Sequence, residues 1–192
     1  MPQSLPDLIT LSRDDDDLHQ VAADAPALQA AIETDGQRLS TVPADDEEAE
    51  VASLESYIGE ALRILGRHDE ALSRQQSATA RVVGTSHQRA QVAYALRLAE
   101  TQRVSGDLPT AERGFRDGLA AARRDPELAV YDDFTLQHLG KCLMNQGRLD
   151  QAEVALREAL TIRRAKGASV LIASTEAALA LVERRRGEAG CP

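Results

Sequence analysis

The apolar residues of this chain recur at helical spacing in short segments that each end at a glycine. Counting back from Gly147, the residues 4, 7, 8 and 11 positions upstream are Leu143, Gly140, Leu139 and Leu136. This spacing places them on one side of a helix. Glycine adopts the left-handed backbone conformation without the steric cost of a side chain. We therefore expect Gly147 to end one helix and to let a second helix turn back.

The same pattern recurs along the chain at intervals of 40 or 41 residues. It is centred on four glycines: Gly66, Gly106, Gly147 and Gly187. In the first three units an alanine follows five residues later: Ala71, Ala111 and Ala152. A fixed period of this size predicts stacked supersecondary units, because one helix hairpin cannot bury its apolar side alone.

The period predicts seven helices and an all-α fold. We place them at about 45–65, 68–83, 86–105, 108–123, 126–146, 149–165 and 169–186. Pro109 and Pro126 lie near helix starts, where a missing N–H is tolerated. Gly187 is expected to end the last helix. The prediction is thus three antiparallel helix hairpins followed by a terminal helix.

The third unit resembles the tetratricopeptide repeat (TPR). Its Leu139-Gly140 pair with Leu143, followed by Ala152 and Leu156, matches the signature of that family. The first two units repeat parts of it: Ile58, Gly59, Leu62 and Ala71, then Ala111 and Phe115. The resemblance covers roughly residues 46–187 and implies a right-handed α-solenoid with a concave groove for peptides.

The chain departs from the family pattern in three respects. The signature aromatic residues of the first helices are absent, and Gln75 stands where a bulky residue is expected. The period also exceeds the usual length of about 34 residues. The longer period is similar to the extended repeats of kinesin light chains and of many bacterial regulatory proteins.

Residues 1–44 differ from the repeats, and we assign them as an acidic leader or a degenerate helical cap preceding a solenoid at 45–192. Ser12 is a candidate cap for a helix over 13–24, and Asp24 for another reaching Gly36. The side chains expected to cover the first repeat are Leu18, Val21, Leu28 and Ile32. A mobile acidic tail is the alternative.

Charge is unevenly distributed between the leader and the repeats. Residues 1–50 contain 13 acidic side chains and two arginines, whereas the remainder contains 18 acidic and 20 basic side chains. The net charge of -9 and the aromatic content of 3% disfavour nucleic acid as a partner. No segment approaches the ~18 apolar residues of a membrane span, and no signal peptide is evident. We expect a cytoplasmic protein without a membrane partner.

The candidate chemistry is sparse, and we expect neither catalysis nor a cofactor. The acidic runs at 14–17 and 45–48 lack the alternating ligands and turn glycine of a calcium loop, and are interpreted as helix starts. The four histidines show no metal-ligand spacing. No phosphate-binding glycine loop or nucleophile motif occurs.

By resemblance to the family, the binding groove is lined by the stripe beside the core face of each first helix. The predicted site residues are Tyr57, Glu60, Arg63, Leu96, Arg97, Glu100, Arg103, Phe134, Gln137, His138, Lys141, Met144, Leu181 and Arg184. The recurring arginines suit carboxylate ligands. Alternatively, Glu60 with Arg63 and Glu100 with Arg103 form ordinary i, i+3 pairs on an exposed face. The residues of the chaperone-binding carboxylate clamp are not reproduced.

These observations predict a non-catalytic scaffold that holds a peptide or partner helix in the groove, where the arginines suit an acidic partner. In a related hypothesis the acidic leader occupies the groove in cis. One alternative is a bacterial sensor for a short signalling peptide or metabolite. Another is a homo-oligomer that assembles through the last helix, using Leu171, Ile172 and Leu181.

Overall fold

The computed structural model describes residues 9–11, 18, 20–42 and 48–189. Within these residues, two short strands precede eight α-helices: β1 Ile9–Leu11, β2 Gln20–Ala22, α1 Ala25–Thr41, α2 Glu48–Ile64, α3 His68–Val82, α4 Gln88–Val104, α5 Leu108–Arg124, α6 Asp132–Asn145, α7 Leu149–Lys166 and α8 Ser169–Ala189. The seven predicted helices correspond to α2–α8. The described residues form two compact units. Unit 1 runs from β1 to Gly106, and unit 2 comprises Leu18 and the chain from Asp107 onward.

The glycines between paired helices have the predicted conformation. Gly66, Gly106 and Gly147 have φ angles of +76°, +91° and +74°. After Gly147, the amide of Arg148 donates to the carbonyl oxygen of Leu143 at 2.9 Å, which satisfies one of the free carbonyls at the end of α6. The predicted helix reversal is confirmed at Gly66 and Gly147, where α2 packs on α3 and α6 packs on α7. At Gly106 only the left-handed conformation is confirmed, since α4 and α5 belong to different units.

Gly187 does not end the last helix, so that prediction was wrong. Helix α8 continues through it to Ala189. A glycine inside a helix is unfavourable by only about 1 kcal/mol relative to alanine. Arg186 offsets this by pairing with Asp150 at 2.6 Å and with Glu153, both on α7. The last turns of α8 are therefore held against α7.

The segment before α6 also differs from the prediction. Residues Pro126–Tyr131 form a 3₁₀ helix, and α6 begins at Asp132. The carboxylate of Asp125 accepts from the amide of Glu127 at 2.9 Å and so caps this turn, with Pro126 at its first position. A proline near a helix start is compatible with either kind of helix, and the sequence does not distinguish them.

Small residues allow the paired helices to approach closely. A Cβ atom on Gly140 would lie 2.6 Å from Cγ of Leu156, and one on Gly59 would lie 2.8 Å from Nε2 of Gln75. Gln75 is fully buried in the position where the family has a bulky residue, and its Nε2 donates to the carbonyl oxygen of Ser56 at 3.0 Å. The α2–α3 and α6–α7 hairpins thus each pack one large side chain against one glycine.

The leader does not contain the helix predicted over 13–24, because Gln20–Ala22 is a strand. It pairs antiparallel with Ile9–Leu11, and Leu11 lies opposite Gln20. Alternate residues of a strand point to opposite sides. Val21 is accordingly 38% exposed and does not cover the first repeat. Leu18 belongs to unit 2, so its predicted place on the first repeat was wrong as well.

Helix α1 packs against α2 and covers the first repeat, as predicted. The carboxylate of Asp24 accepts from the amide of Ala27 at 2.9 Å and caps the helix, which continues past Gly36 to Thr41. Leu28 is fully buried against Ala61 and Ile64. The helix starts predicted at 14–17 and 45–47 lie outside the described residues; Glu48 begins α2. None of the helices described is long and apolar enough to cross a bilayer.

Candidate functional site

In unit 1, Arg63 at the end of α2 contacts the leader strand. Its Nη2 donates to Oε1 of Gln20 at 2.5 Å and to Oε1 of Glu60 at 2.7 Å. The residue is only 5% exposed. Its Nε is buried and finds no acceptor among the residues that the structure describes. Arg63 is therefore a buried cation that holds an extended segment and retains an unused donor.

Tyr57 on α2 and Arg97 on α4 form a partly exposed contact. The guanidinium carbon of Arg97 lies 4.9 Å from the centroid of the Tyr57 ring, within cation–π range. Nη1 of Arg97 donates to Oγ of Ser56 at 2.8 Å. The Tyr57 ring is 44% exposed. Both side chains are thus held in place while the ring offers an apolar surface to a ligand.

The remaining predicted site residues of unit 1 are buried. Arg103 donates to both carboxylate oxygens of Glu100, at 2.8 and 2.9 Å, and Leu96 is part of the core. The i, i+3 pairs proposed as an alternative therefore form, but inside the protein rather than on an exposed face. Removing one partner of a buried pair leaves an uncompensated charge. Loss of either Glu100 or Arg103 would therefore destabilise α4.

In unit 2, Lys141 on α6 binds the leader backbone. Its Nζ donates to the carbonyl oxygen of Leu18 at 2.9 Å, and the lysine is only 3% exposed. Leu18 has a φ angle of +55°, which is unfavourable for a residue with a side chain. A buried lysine on the first helix of the α6–α7 hairpin thus holds the main chain of the leader.

Two aromatic side chains lie beside His138, one turn of α6 before Lys141. The ring centroids of Phe134 and His138 are 4.1 Å apart, and those of Phe115 and His138 are 6.0 Å apart. Phe134 is partly exposed, whereas Phe115 is fully buried. The stacked rings fix the orientation of His138 and leave part of Phe134 available for contact.

Gln137 belongs to a polar network that joins α6, α7 and α8. Its Oε1 accepts from Nη1 of Arg163 at 3.1 Å, and the same nitrogen donates to Oγ1 of Thr175 at 2.7 Å. Met144 and Leu181 are buried in the core. Arg184 is exposed, with its Nε 3.9 Å from Glu188. These residues are not brought together with Lys141 at a surface.

The structure thus groups half of the predicted residues into two surfaces. The first, which we call the unit 1 face, consists of Tyr57, Glu60, Arg63 and Arg97. The second, the unit 2 face, consists of Phe134, His138 and Lys141. Within the described ranges, no group of three or more His, Cys, Asp or Glu side chains is arranged to hold a metal ion.

Sequence reasoning missed the partners of these faces and one further cavity. Gln20 accepts from Arg63, but a strand of three residues is too short for an alternation of polar and apolar residues to be recognised in the sequence.

A cavity of about 370 Å³ lies between α5 and α7. Its floor is formed by leucines of α6, and the Arg123–Glu158 ion pair, at 2.5 Å, lies among its lining residues.

Comparisons with known proteins identify the fold. No protein-family model matches the chain, and no curated protein matches it significantly. The chain is similar to PlcR of Bacillus thuringiensis, solved with the peptide PapR7 and DNA, with a TM-score of 0.72 and 11% identity over 85% of this chain. The fold is TPR-like.

Two further solved structures support the same fold. A kinesin light chain with TPR-like repeats from Podosopora anserina has a TM-score of 0.61 and 14% identity, covering 85% of this chain and 78% of that one. The Rap conjugation regulator of plasmid pLS20, in complex with the Phr* peptide, has a TM-score of 0.59 and 19% identity over 86% of this chain. The chain spans 58% of PlcR and 50% of Rap.

Proposed function

We propose that this protein is a non-catalytic interaction scaffold that binds extended peptide segments on the unit 1 and unit 2 faces. The observation that carries the proposal is the contact of Arg63 with Gln20, because it seats a strand on the inner helix of a repeat. Peptides bound in this way are recognised by polar contacts along the chain and by pockets for alternate side chains. Tyr57 and Phe134 are the apolar anchors of the two faces.

The comparisons support a peptide as the ligand class. Two of the similar solved structures contain peptides, PapR7 in PlcR and Phr* in Rap. The ligand of this chain is then a protein segment or a short signalling peptide. A short signalling peptide as ligand would make the protein a sensor.

Self-assembly is the other candidate, and exposed apolar residues at the start of α8 favour it. Val170 is mostly exposed, and Leu171 is partly so. A second copy that covered them would make the molecular mass depend on concentration. Light scattering across a dilution series tests this directly, since a constant monomer mass contradicts assembly.

A selection with a library of short random peptides tests the peptide proposal. We expect peptides that bind the wild-type chain to lose about tenfold in affinity, or 1.4 kcal/mol, with Tyr57→Ala and with Arg97→Ala. The matched control is Arg74→Ala on α3, an exposed arginine whose Nη1 lies 3.8 Å from Glu55. Peptides that depend on Arg74 but not on Tyr57 or Arg97 would place binding elsewhere.

A further inference from the structure

We infer that the leader supplies built-in ligands to these faces, Gln20 and Ala22 to the unit 1 face and Leu18 to the unit 2 face, and that the partner of the unit 1 face is an extended acidic segment that binds when the leader is released. The inference rests on the proposed function and adds the chemistry of the ligand and the regulation of the site. It follows from three properties of the described leader residues: how they are seated, how much strain they carry and which acceptors they offer.

In unit 1 the leader is seated as a peptide ligand would be. Gln20 and Ala22 are partly buried, whereas Val21 between them is exposed. Gln20 reaches Arg63, and Ala22 packs against the cluster of Leu28, Ala61 and Ile64. One polar and one apolar side chain of the strand therefore face the protein, which is the alternation expected of a bound extended peptide.

In unit 2 the leader is held by its main chain and under strain. Lys141 binds the carbonyl oxygen of Leu18, a contact that any residue type could supply. Leu18 has a left-handed backbone with φ of +55°. This conformation is unfavourable for residues with a Cβ atom. A partner able to bind without a left-handed residue would avoid the penalty that the leader bears.

The acceptors that the leader presents in these contacts are neutral, although both donors are buried cations. Arg63 donates to the amide oxygen of Gln20 as well as to the carboxylate of Glu60, and Lys141 donates to a peptide carbonyl oxygen. An arginine and a carboxylate frequently form two parallel hydrogen bonds, which adds energy and geometric specificity that a single amide oxygen does not supply. Nε of Arg63 is buried without an acceptor among the described residues and could serve the second oxygen of a carboxylate. An acidic partner segment therefore matches Arg63 better than the leader does.

Substitutions of Gln20 in the full-length chain test the inference, because they alter the leader without touching the binding faces. The probe is a fluorescent peptide of residues 9–22 that carries Q20E, and its affinity is measured by anisotropy. We expect Gln20→Ala to raise the affinity for the probe about tenfold, since the leader loses a hydrogen bond to a charged group. Gln20→Glu should lower it, because the leader then holds Arg63 more tightly. Val21→Ala, whose side chain is exposed, is the matched control and should have no effect.

Two further measurements complete the test. A probe with glutamine at position 20 should bind about tenfold more weakly than the glutamate probe, and equal affinities would overturn the acidic class of ligand. Saturating probe should speed amide hydrogen exchange at residues 20–22, as expected if the leader leaves its site. Unchanged exchange would overturn displacement.

The outcomes separate this inference from the proposed function. Equal probe affinities for the wild type, Gln20→Ala and Gln20→Glu would show that the leader does not compete, although binding itself would still support a peptide scaffold. If no variant bound either probe, the inference that the ligand resembles the leader would be contradicted. The library selection with the Tyr57 and Arg97 variants would then decide the proposed function independently.

Discussion

Asp133 on α6 and Arg163 on α7 form an ion pair in the interior of unit 2. Oδ2 of Asp133 lies 3.0 Å from Nε of Arg163, and the two side chains are only 6% and 3% exposed. Arg163 also donates to Thr175 and to the carbonyl oxygen of Leu171, both on α8. One guanidinium thus connects three consecutive helices.

We expect Arg163→Met to lower the free energy of unfolding by about 3–5 kcal/mol, because Asp133 would lose a buried partner. The matched control is Arg164→Ala, which removes an exposed pair with Glu176 and should change stability by at most about 1 kcal/mol. Urea unfolding followed by circular dichroism measures both. Equal effects of the two substitutions would contradict the structural role of Arg163.

Stability should also fall in acid through Asp133. Burial raises the pKa of this carboxyl group, but hydrogen bonds from Lys166 and Arg163 outweigh it and hold the pKa below its ordinary value. A carboxyl group whose pKa is lower in the folded state stabilises the protein above the unfolded pKa of about 4. This stabilisation is lost as the pH falls through the folded pKa. We expect Asp133→Asn to be less stable than wild type at pH 7 and to lose less stability between pH 5 and pH 2. Parallel pH profiles would contradict this.

Gly140→Ala should destabilise the α6–α7 hairpin. The added Cβ would lie 2.6 Å from Cγ and 2.9 Å from Cδ2 of Leu156. Overpacking of this kind lowers stability by about 1–3 kcal/mol. Gly36→Ala in α1 is the control, since nothing lies within 4 Å of its new Cβ and alanine is the better helix former. Thermal melting should show opposite shifts.

The two kinds of repeat glycine should respond oppositely to alanine. Gly147→Ala places a side chain at a φ angle of +74° and should lower stability by about 1–2 kcal/mol. Gly187→Ala lies within α8 with open space around it and should raise stability by about 0.5–1 kcal/mol. Destabilisation by Gly187→Ala would indicate that it ends the helix after all.

The sequence predicts the repeat fold well because its signals are local. A glycine with a left-handed φ, an alanine five residues later and a four-position apolar face each depend on a few neighbouring residues. All seven helices of the repeats are confirmed, with bounds differing by a few residues except at the start of α6. The glycine at position 187 was misassigned because the ion pairs that hold the end of α8 are made with another helix.

The candidate site was less predictable because the exposure of a side chain depends on residues that are distant in the sequence. The stripe beside the core face includes Tyr57, Arg97 and Phe134, which are at least partly exposed. It also includes Gln137 and Met144, which packing against neighbouring elements buries. Spacing along one helix gives the direction of a side chain, but what covers that side chain depends on the other helices.

By itself the sequence determined the period, the helix reversals at Gly66 and Gly147, the left-handed backbone of Gly106, and the small residues that let paired helices approach, since these follow from backbone sterics over short distances. Only the tertiary structure decided that Gln20 forms part of a strand and meets Arg63, and that Leu18 meets Lys141. These residues are 43 and 123 positions apart in the chain. Contacts over such separations depend on the packing of whole helices, which no local pattern encodes.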